Sequence, residues 1–446
     1  MRDYNLVNNK NQLEETPESQ STLPFLNKRN ILLIALGAFI WSIYLSIQGQ
    51  YFNDYLLDLL NYSPLIVSLL VSLVALTGAI VSIFTGAISD NLQKNFGRRK
   101  IFILTGGTSS AILLFFLPLS RSLLLIIGIN VLMSLFNTAA FICNNSLIPD
   151  IASEGKLGKA NAYASLGSSI GTIAGFALML ISPSSNIFFA TGAICAFGFI
   201  VVGIFFQEPK PKIDRKYWLL EIKETFQFSQ IKKEKNYFHF LASHFFLHTG
   251  INVYMPFLLI FLTQENNPLS GKLIGLGLSM QNGEVLLLFA VMTVISLILA
   301  LPIGYFLDRT NKHKFLIISR GIFALSTAIL ALTPIFRSIN PLVIGIIFII
   351  PFSIANTADI VSRGAYMHSL ISNEKRGQLL GLLFFIKTLA QIPGVIIGGL
   401  FAHFFQSGYQ YGFIIGSIFL LISIPFLITS GLPLTLKNKQ TETAVT

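Results

Sequence analysis

Charge is scarce in this sequence of 446 residues. Asp, Glu, Lys and Arg make up 11% of it, where a soluble domain carries about 25%. So sparse a charge excludes an ordinary water-covered globule. Cysteine is scarcer still: Cys143 and Cys195 are the two copies, both inside apolar runs. They support neither a disulfide framework nor a metal site. No glycine-rich phosphate loop of the Walker type is present, which argues against ATP drive. Neither a repeated filter nor a catalytic constellation occurs, so a channel and a membrane-embedded enzyme both fit poorly. The polar first thirty residues and the first apolar run show no small-residue cleavage pattern, and no cleavable leader is expected. No cofactor is expected either.

What the chain has instead is grease: 53% hydrophobic residues and 40 phenylalanines. The formal charge of +11 is scattered in short clusters between apolar runs, which speaks for membrane lipid and against nucleic acid as a partner. A bilayer-spanning helix needs about 20 apolar residues. Twelve runs qualify, at about 31–50, 64–88, 101–120, 122–148, 160–181, 186–206, 238–262, 283–306, 315–334, 341–370, 378–402 and 411–432. With both termini placed in the cytoplasm, only Arg121, Lys272 and Arg337 among the loop bases fall outside, while Arg320 sits near the inner membrane edge and Arg363 and Lys387 lie within spans. That bias sets the expected orientation.

The chain also repeats itself. Asn137-Thr138-Ala139 recurs as Asn356-Thr357-Ala358 at an offset of 219 residues, and at the same offset Lys156, Gly158 and Gly175 meet Lys375, Gly377 and Gly394. Asp90 and Asp308 each follow an inner helix end. The expected fold is an all-α membrane protein of twelve helices in two pseudo-symmetric six-helix bundles, residues 31–206 and 238–432. A cytoplasmic tail (1–30), a basic cytoplasmic linker (207–237) and a second tail (433–446) complete it. The linker's WLLEIKETFQF reads equally as an interfacial helix or as plain connection.

The stretch GAISDNLQKNFGRRK, from Gly86 to Lys100, packs an acid and four bases between two spans. Asp90, Gly97, Arg98 and Arg99, with the weaker echo at Asp308 and Arg309, suit a latch at the cytoplasmic gate. Simple positive-inside anchoring is the rival reading, and is preferred for Lys100. With these residues the sequence resembles the major facilitator superfamily over about 30–435. The seven-residue step from Asp90 to Gly97, and IPDIASEGKLGKANAY after the fourth span, are similar to the glycoside/pentoside/hexuronide cation symporters and the related sucrose transporter group. That resemblance implies alternating access and a sugar-like solute. The cation-binding acids of that group are missing: Ala38, Gly78 and Ser82 occupy their positions, so a sodium site of that design is not expected.

Charges inside spans need a partner or an aqueous cavity. Asp359 and Arg363 are one helical turn apart and Lys387 lies at similar depth. They form either a static ion-pair network or a site for protons or substrate charge, with lipid-facing snorkelling a third reading that suits Arg363 better than Lys387. Glu284 at the outer start of the eighth span is a helix-end group or a proton entry. His244 and His248 lack a third metal ligand and read as packing or as cavity groups, in a span that Gly250 and Pro256 can break near its centre. Trp41, Tyr44, Gln48, Asn137, Asn144 and Asn356 can serve a polar solute or hold helices together. The glycines at 167, 171 and 175, and at 394, 398 and 399, read as close-packing surfaces. The expected function is proton-coupled transport of a sugar or similar small polar solute, with export of amphiphiles as the alternative. The expected partners are that solute, protons and lipid, with a monomer sufficient.

Overall fold

The computed structural model describes residues 28–92, 97, 99–151, 157–181, 185–208, 235–263, 277–336, 339–370, 376–405 and 408–443. Among them are twelve long helices and no strand. Closing every backbone hydrogen bond within the segment is what a lipid environment demands. The helices are α1 (28–59), α2 (Pro64–Asn91), α3 (Lys100–Leu119), α4 (Leu123–Ile151), α5 (Leu157–Ile181), α6 (Asn186–Phe205), α7 (Lys235–Thr263), α8 (Asn282–Asp308), α9 (Lys312–Leu330), α10 (Pro341–Leu370), α11 (Arg376–Phe404) and α12 (Gly408–Thr443). Eleven are long and apolar enough to cross a membrane, and α5 carries the shorter apolar stretch Tyr163–Met179.

The ends are set by local chemistry. Ser63 caps α2 by accepting from the Ile66 amide, with Pro64 at the first helical position. Asn311 accepts from the amides of His313 and Lys314 at 3.1 Å each and starts α9. Two expectations shift here. The first span does not stop at residue 50 but continues through π-turns at Ile47–Tyr51 and Tyr55–Leu59. The last helix runs on through Thr443, into the stretch expected to be a tail. The amphipathic linker segment lies outside the described residues.

The two halves repeat their packing. Within the first, α5 lies on α1: a side chain at Gly167 or Gly171 would strike the carbonyls of Ala35 or Phe39. Within the second, α11 lies on α7 in the same way, with Gly394 and Gly398 against the carbonyls of Thr249 and Val253. These glycines are packing surfaces, and the offset that pairs Gly175 with Gly394 reflects equivalent helix pairs.

The halves meet through α2 with α11, α5 with α8 and α1 with α7. The side on which α6 ends and α7 begins is the linker face, and the opposite side is the far face. At the far face Gly399 abuts Ser68 and the Pro64 carbonyl, and Phe176 stacks on Phe289 with ring centroids 4.0 Å apart and planes 2° from parallel. Asn53 donates to the Pro256 carbonyl at 3.1 Å. Pro256 lies in a 3-10 turn, Met255–Phe257, which interrupts α7 toward its far end rather than at its centre. Gly250 stays helical and gives α12 close approach at Gly416.

Candidate functional site

Five helices of the second half bring polar groups together at mid-depth. Arg320 lies eight residues into α9, about 12 Å from its start by helix rise, and so is not at the membrane edge as its neighbours in sequence suggested. Its Nε bonds Asp359 Oδ1 on α10, and both side chains are 1% exposed. The rest of the guanidinium is held by Ser423 Oγ of α12 at 2.9 Å and Ser243 Oγ of α7 at 3.4 Å. Ser319 and Ser362 Oγ atoms, 3.3 Å apart, tie α9 to α10 beside the pair.

The second carboxylate oxygen, Asp359 Oδ2, lies 3.7 Å from Arg363, whose side chain is 16% exposed. The same Arg363 nitrogen stands 3.4 Å from His248 Nε2. A guanidinium can only donate, so the histidine nitrogen accepts. His244 packs against His248 with ring centroids 4.3 Å apart. Both of its ring nitrogens are buried without a hydrogen-bond partner among the described residues. Lys387 on α11 is exposed although it lies mid-helix. It is near enough to Arg363 for the two cations to repel, and its ammonium sits 5.6 Å from the centroid of the Phe384 ring.

The first half supplies the facing wall. A cavity of about 400 Å³ opens between α1, α4, α5 and α6, lined by Trp41, Ser42, Asn144, Asn145, Ser165 and Ser168 among others. Gly37 makes room for Asn144, whose Oδ1 would lie 3.0 Å from a side chain there. Trp41 stacks on Phe141 at 5.1 Å and Phe141 meets Phe384 edge-on at 5.8 Å. Those two rings bridge from Trp41 to Lys387.

The remaining predicted residues divide. Tyr44 is fully buried inside the first bundle beside Ser110 and Cys195 and does not line the cavity, because α1 turns that face toward α3 and α6. Gln48, in the first π-turn, and Asn137 and Asn356 are half-buried, and Asn137 Oδ1 has no partner among the described residues. Glu284 does not join the charge network. It closes a capping box with Gln281, accepting from that residue's amide at 2.8 Å, at the far-face end of α8.

At the linker face, Gly97 has φ +110°, a conformation that favours glycine. Beside it the Glu208 carboxylate accepts from the amides of Arg99 at 3.0 Å and Lys100 at 3.3 Å. In return Lys100 donates to the carbonyls of Ile204 and Phe206 at 3.3 Å each, closing the end of α6. Arg99 reaches the Ser146 carbonyl of α4. These contacts knit α3, α4 and α6 within one half. Arg98 and the side chains of Asp90 and Asp308 lie outside what is described. Arg309 folds back over Tyr305 of its own helix, 4.2 Å from the ring centroid.

The sequence signature of the Major Facilitator Superfamily matches residues 31–355 and again 240–445. No curated protein sequence matches the chain. Among solved structures the fold is similar to the nucleoside transporter NupG, with TM-score 0.69, 14% identity and coverage of 90% of this chain and 98% of that one. It is also similar to a bacterial homologue of the human lysosomal transporter Spinster in an inward-facing, unoccupied conformation (0.65, 15%, 90% and 95%). A D-xylose-proton symporter gives 0.63 at 14% identity, over 88% and 96%. With the signature covering nearly all twelve helices, the chain belongs to the major facilitator superfamily and is a multi-pass membrane transporter.

Proposed function

We propose that the protein moves a small polar organic solute of sugar size by alternating access and couples that movement to protons. The observation that carries this reading is the mid-depth chain Arg320, Asp359, Arg363, His248, which runs from a fully buried pair to a partly exposed guanidinium. Arg363 divides its contact between Asp359 and His248. Protonating the carboxylate weakens its hold on Arg363 and leaves that cation free for a solute, so proton and solute occupy linked positions. The facing wall of Trp41 with Asn144, Asn145, Ser42 and Ser168 offers an aromatic plate and hydrogen-bonding groups, which suits a hydroxylated ring better than an amphiphile.

The linker face is taken as cytoplasmic, and the Gly97 turn with Asp90 and Asp308 as part of its gate. Far-face contacts between the halves support a conformation closed on that side. Among the similar structures, the xylose-proton symporter fits this reading by its name alone.

The test is purified protein in liposomes, with internal pH recorded while mono- and disaccharides are offered. Wild type is compared with Asp359→Asn, each shown to be folded by its elution profile and melting curve. Solute-dependent proton flux that the variant loses supports the reading. Solute uptake with no pH response removes the proton coupling. No uptake of any polar solute, with uptake of lipophilic cations instead, replaces the reading with export of amphiphiles.

A further inference from the structure

The charges of the mid-depth site do not balance. Among the described residues three cations converge there, Arg320 on α9, Arg363 on α10 and Lys387 on α11, against the single carboxylate of Asp359. Asp359 is spent on Arg320, which is the fully buried partner and is further held by two serine hydroxyls. Among the described residues Arg363 keeps the looser contact at 3.7 Å and a histidine nitrogen. Among the described residues no carboxylate lies within ion-pair distance of Lys387. The other nearby titratable groups, His244 and His248, supply no negative charge. Uncompensated charge at this depth is costly, and such groups mark solute or ion paths when they face a cavity. Lys387 is exposed at mid-helix and Arg363 partly so, and the Phe384 and Phe141 rings lead from Lys387 to Trp41 in the lining of the first-half cavity.

Resting on the transport reading above, we infer that the solute carries an anionic group, a carboxylate or a phosphate, and that Arg363 and Lys387 hold it. Arg363 supplies a planar fork suited to two oxygens, and Lys387 a point charge on a flexible stem. His248 accepts from the same Arg363 nitrogen that lies near Asp359 and so helps to hold the fork in place. The hydroxylated remainder of the solute then faces Trp41 and Asn144 across Phe141 and Phe384. Neutral sugars fill that wall but leave both cations unmatched, which ranks them below an acid of the same size.

The experiment is uptake into liposomes of three labelled probes of similar size: glucose, gluconate and glucose 6-phosphate. Wild type is set beside Lys387→Met and Lys387→Arg, and Lys387 is exposed enough for both to fold. The expected result is uptake of an anionic probe, with apparent affinity falling at least about tenfold in Lys387→Met and largely kept in Lys387→Arg, a loss of the size that follows removal of a charged hydrogen bond. Whichever anion is taken up decides between carboxylate and phosphate. Glucose uptake that neither anion inhibits overturns the inference while the transport reading stands. Anion uptake unchanged in Lys387→Met overturns the role of that lysine. Uptake of none of the three by folded protein removes both readings for solutes of this size.

Discussion

Arg320 and Asp359 are joined across α9 and α10 with almost no exposed surface on either side chain. Their sequence separation is 39 residues, and each has a further tie: Arg320 to Ser243 and Ser423, Asp359 to Arg363. A pair this deep fixes the register of α7, α9, α10 and α12 at one point. Breaking one side leaves a buried charge, which typically costs about 3–5 kcal/mol.

Arg320→Met is therefore expected to lower the melting temperature of the purified protein sharply. Adding Asp359→Asn removes the stranded carboxylate and is expected to return part of the loss, with a coupling of about 0.5–3 kcal/mol. Melting curves of the two single variants and the double variant measure it. Simple additivity would show that the pair is not a unit.

Much of the fold was open to reading because membrane helices announce themselves by length and composition. All twelve runs became helices, and the glycine repeats found their symmetric partners. The site was harder. Asp359 and Arg363 stood out as an i,i+4 pair on one helix. Arg320 did not, since it follows a basic helix start and reads as one more inner-edge charge. Counting eight residues inward from Lys312 would have placed it at depth. Its partner on another helix is a matter of packing, which periodicity does not encode. Tyr44 failed for a related reason: a polar tip on a mostly apolar helix does not reveal which face turns to the cavity. Glu208 was hidden because its role depends on a backbone turn 109 residues away.

That turn yields a second prediction. Any side chain at Gly97 meets both the left-handed backbone and the Glu208 carboxylate, 2.6 Å from the position of a Cβ. Gly97→Ala is expected to destabilise the first bundle by about 1 kcal/mol or more from the backbone alone. Glu208→Ala, which removes the cap of α3, is expected to cost about 0.5–2 kcal/mol. Both effects are read as melting shifts. A transport loss without any melting shift would mean that the turn acts in gating rather than in holding α3, α4 and α6 together.

Adjacent glycines on α11 should behave differently. A methyl at Gly398 strikes the Val253 carbonyl inside the second bundle, whereas a methyl at Gly399 strikes Ser68 of the first half and lies 3.0 Å from the Pro64 carbonyl. Gly398→Ala is expected to impair folding. Gly399→Ala is expected to fold, because the halves can part, but to disfavour far-face closure. Thiol labelling of a cysteine placed at Ser68 in each background reports it, with faster labelling expected in Gly399→Ala. Equal labelling rates would show that this contact does not hold the far face shut.

The stacked rings of Phe176 and Phe289 permit a direct trap. They belong to α5 and α8, on opposite halves, and both are buried at the far face. Replacing both with cysteine and bridging them with a short bis-methanethiosulfonate should tie the halves together on that side. The native thiols will not interfere, since Cys143 and Cys195 are each 0% exposed. Opening of the far face by a parting of the two halves separates these helices once per cycle. Bridged protein is thus expected to lose transport, and reductant, which releases the bridge, to restore it. The unbridged double variant controls for the missing rings. Full transport with the bridge shown to be in place by mass would mean that α5 and α8 remain together throughout the cycle, and that the far face opens by motion of α1 and α7 around Asn53 and Pro256.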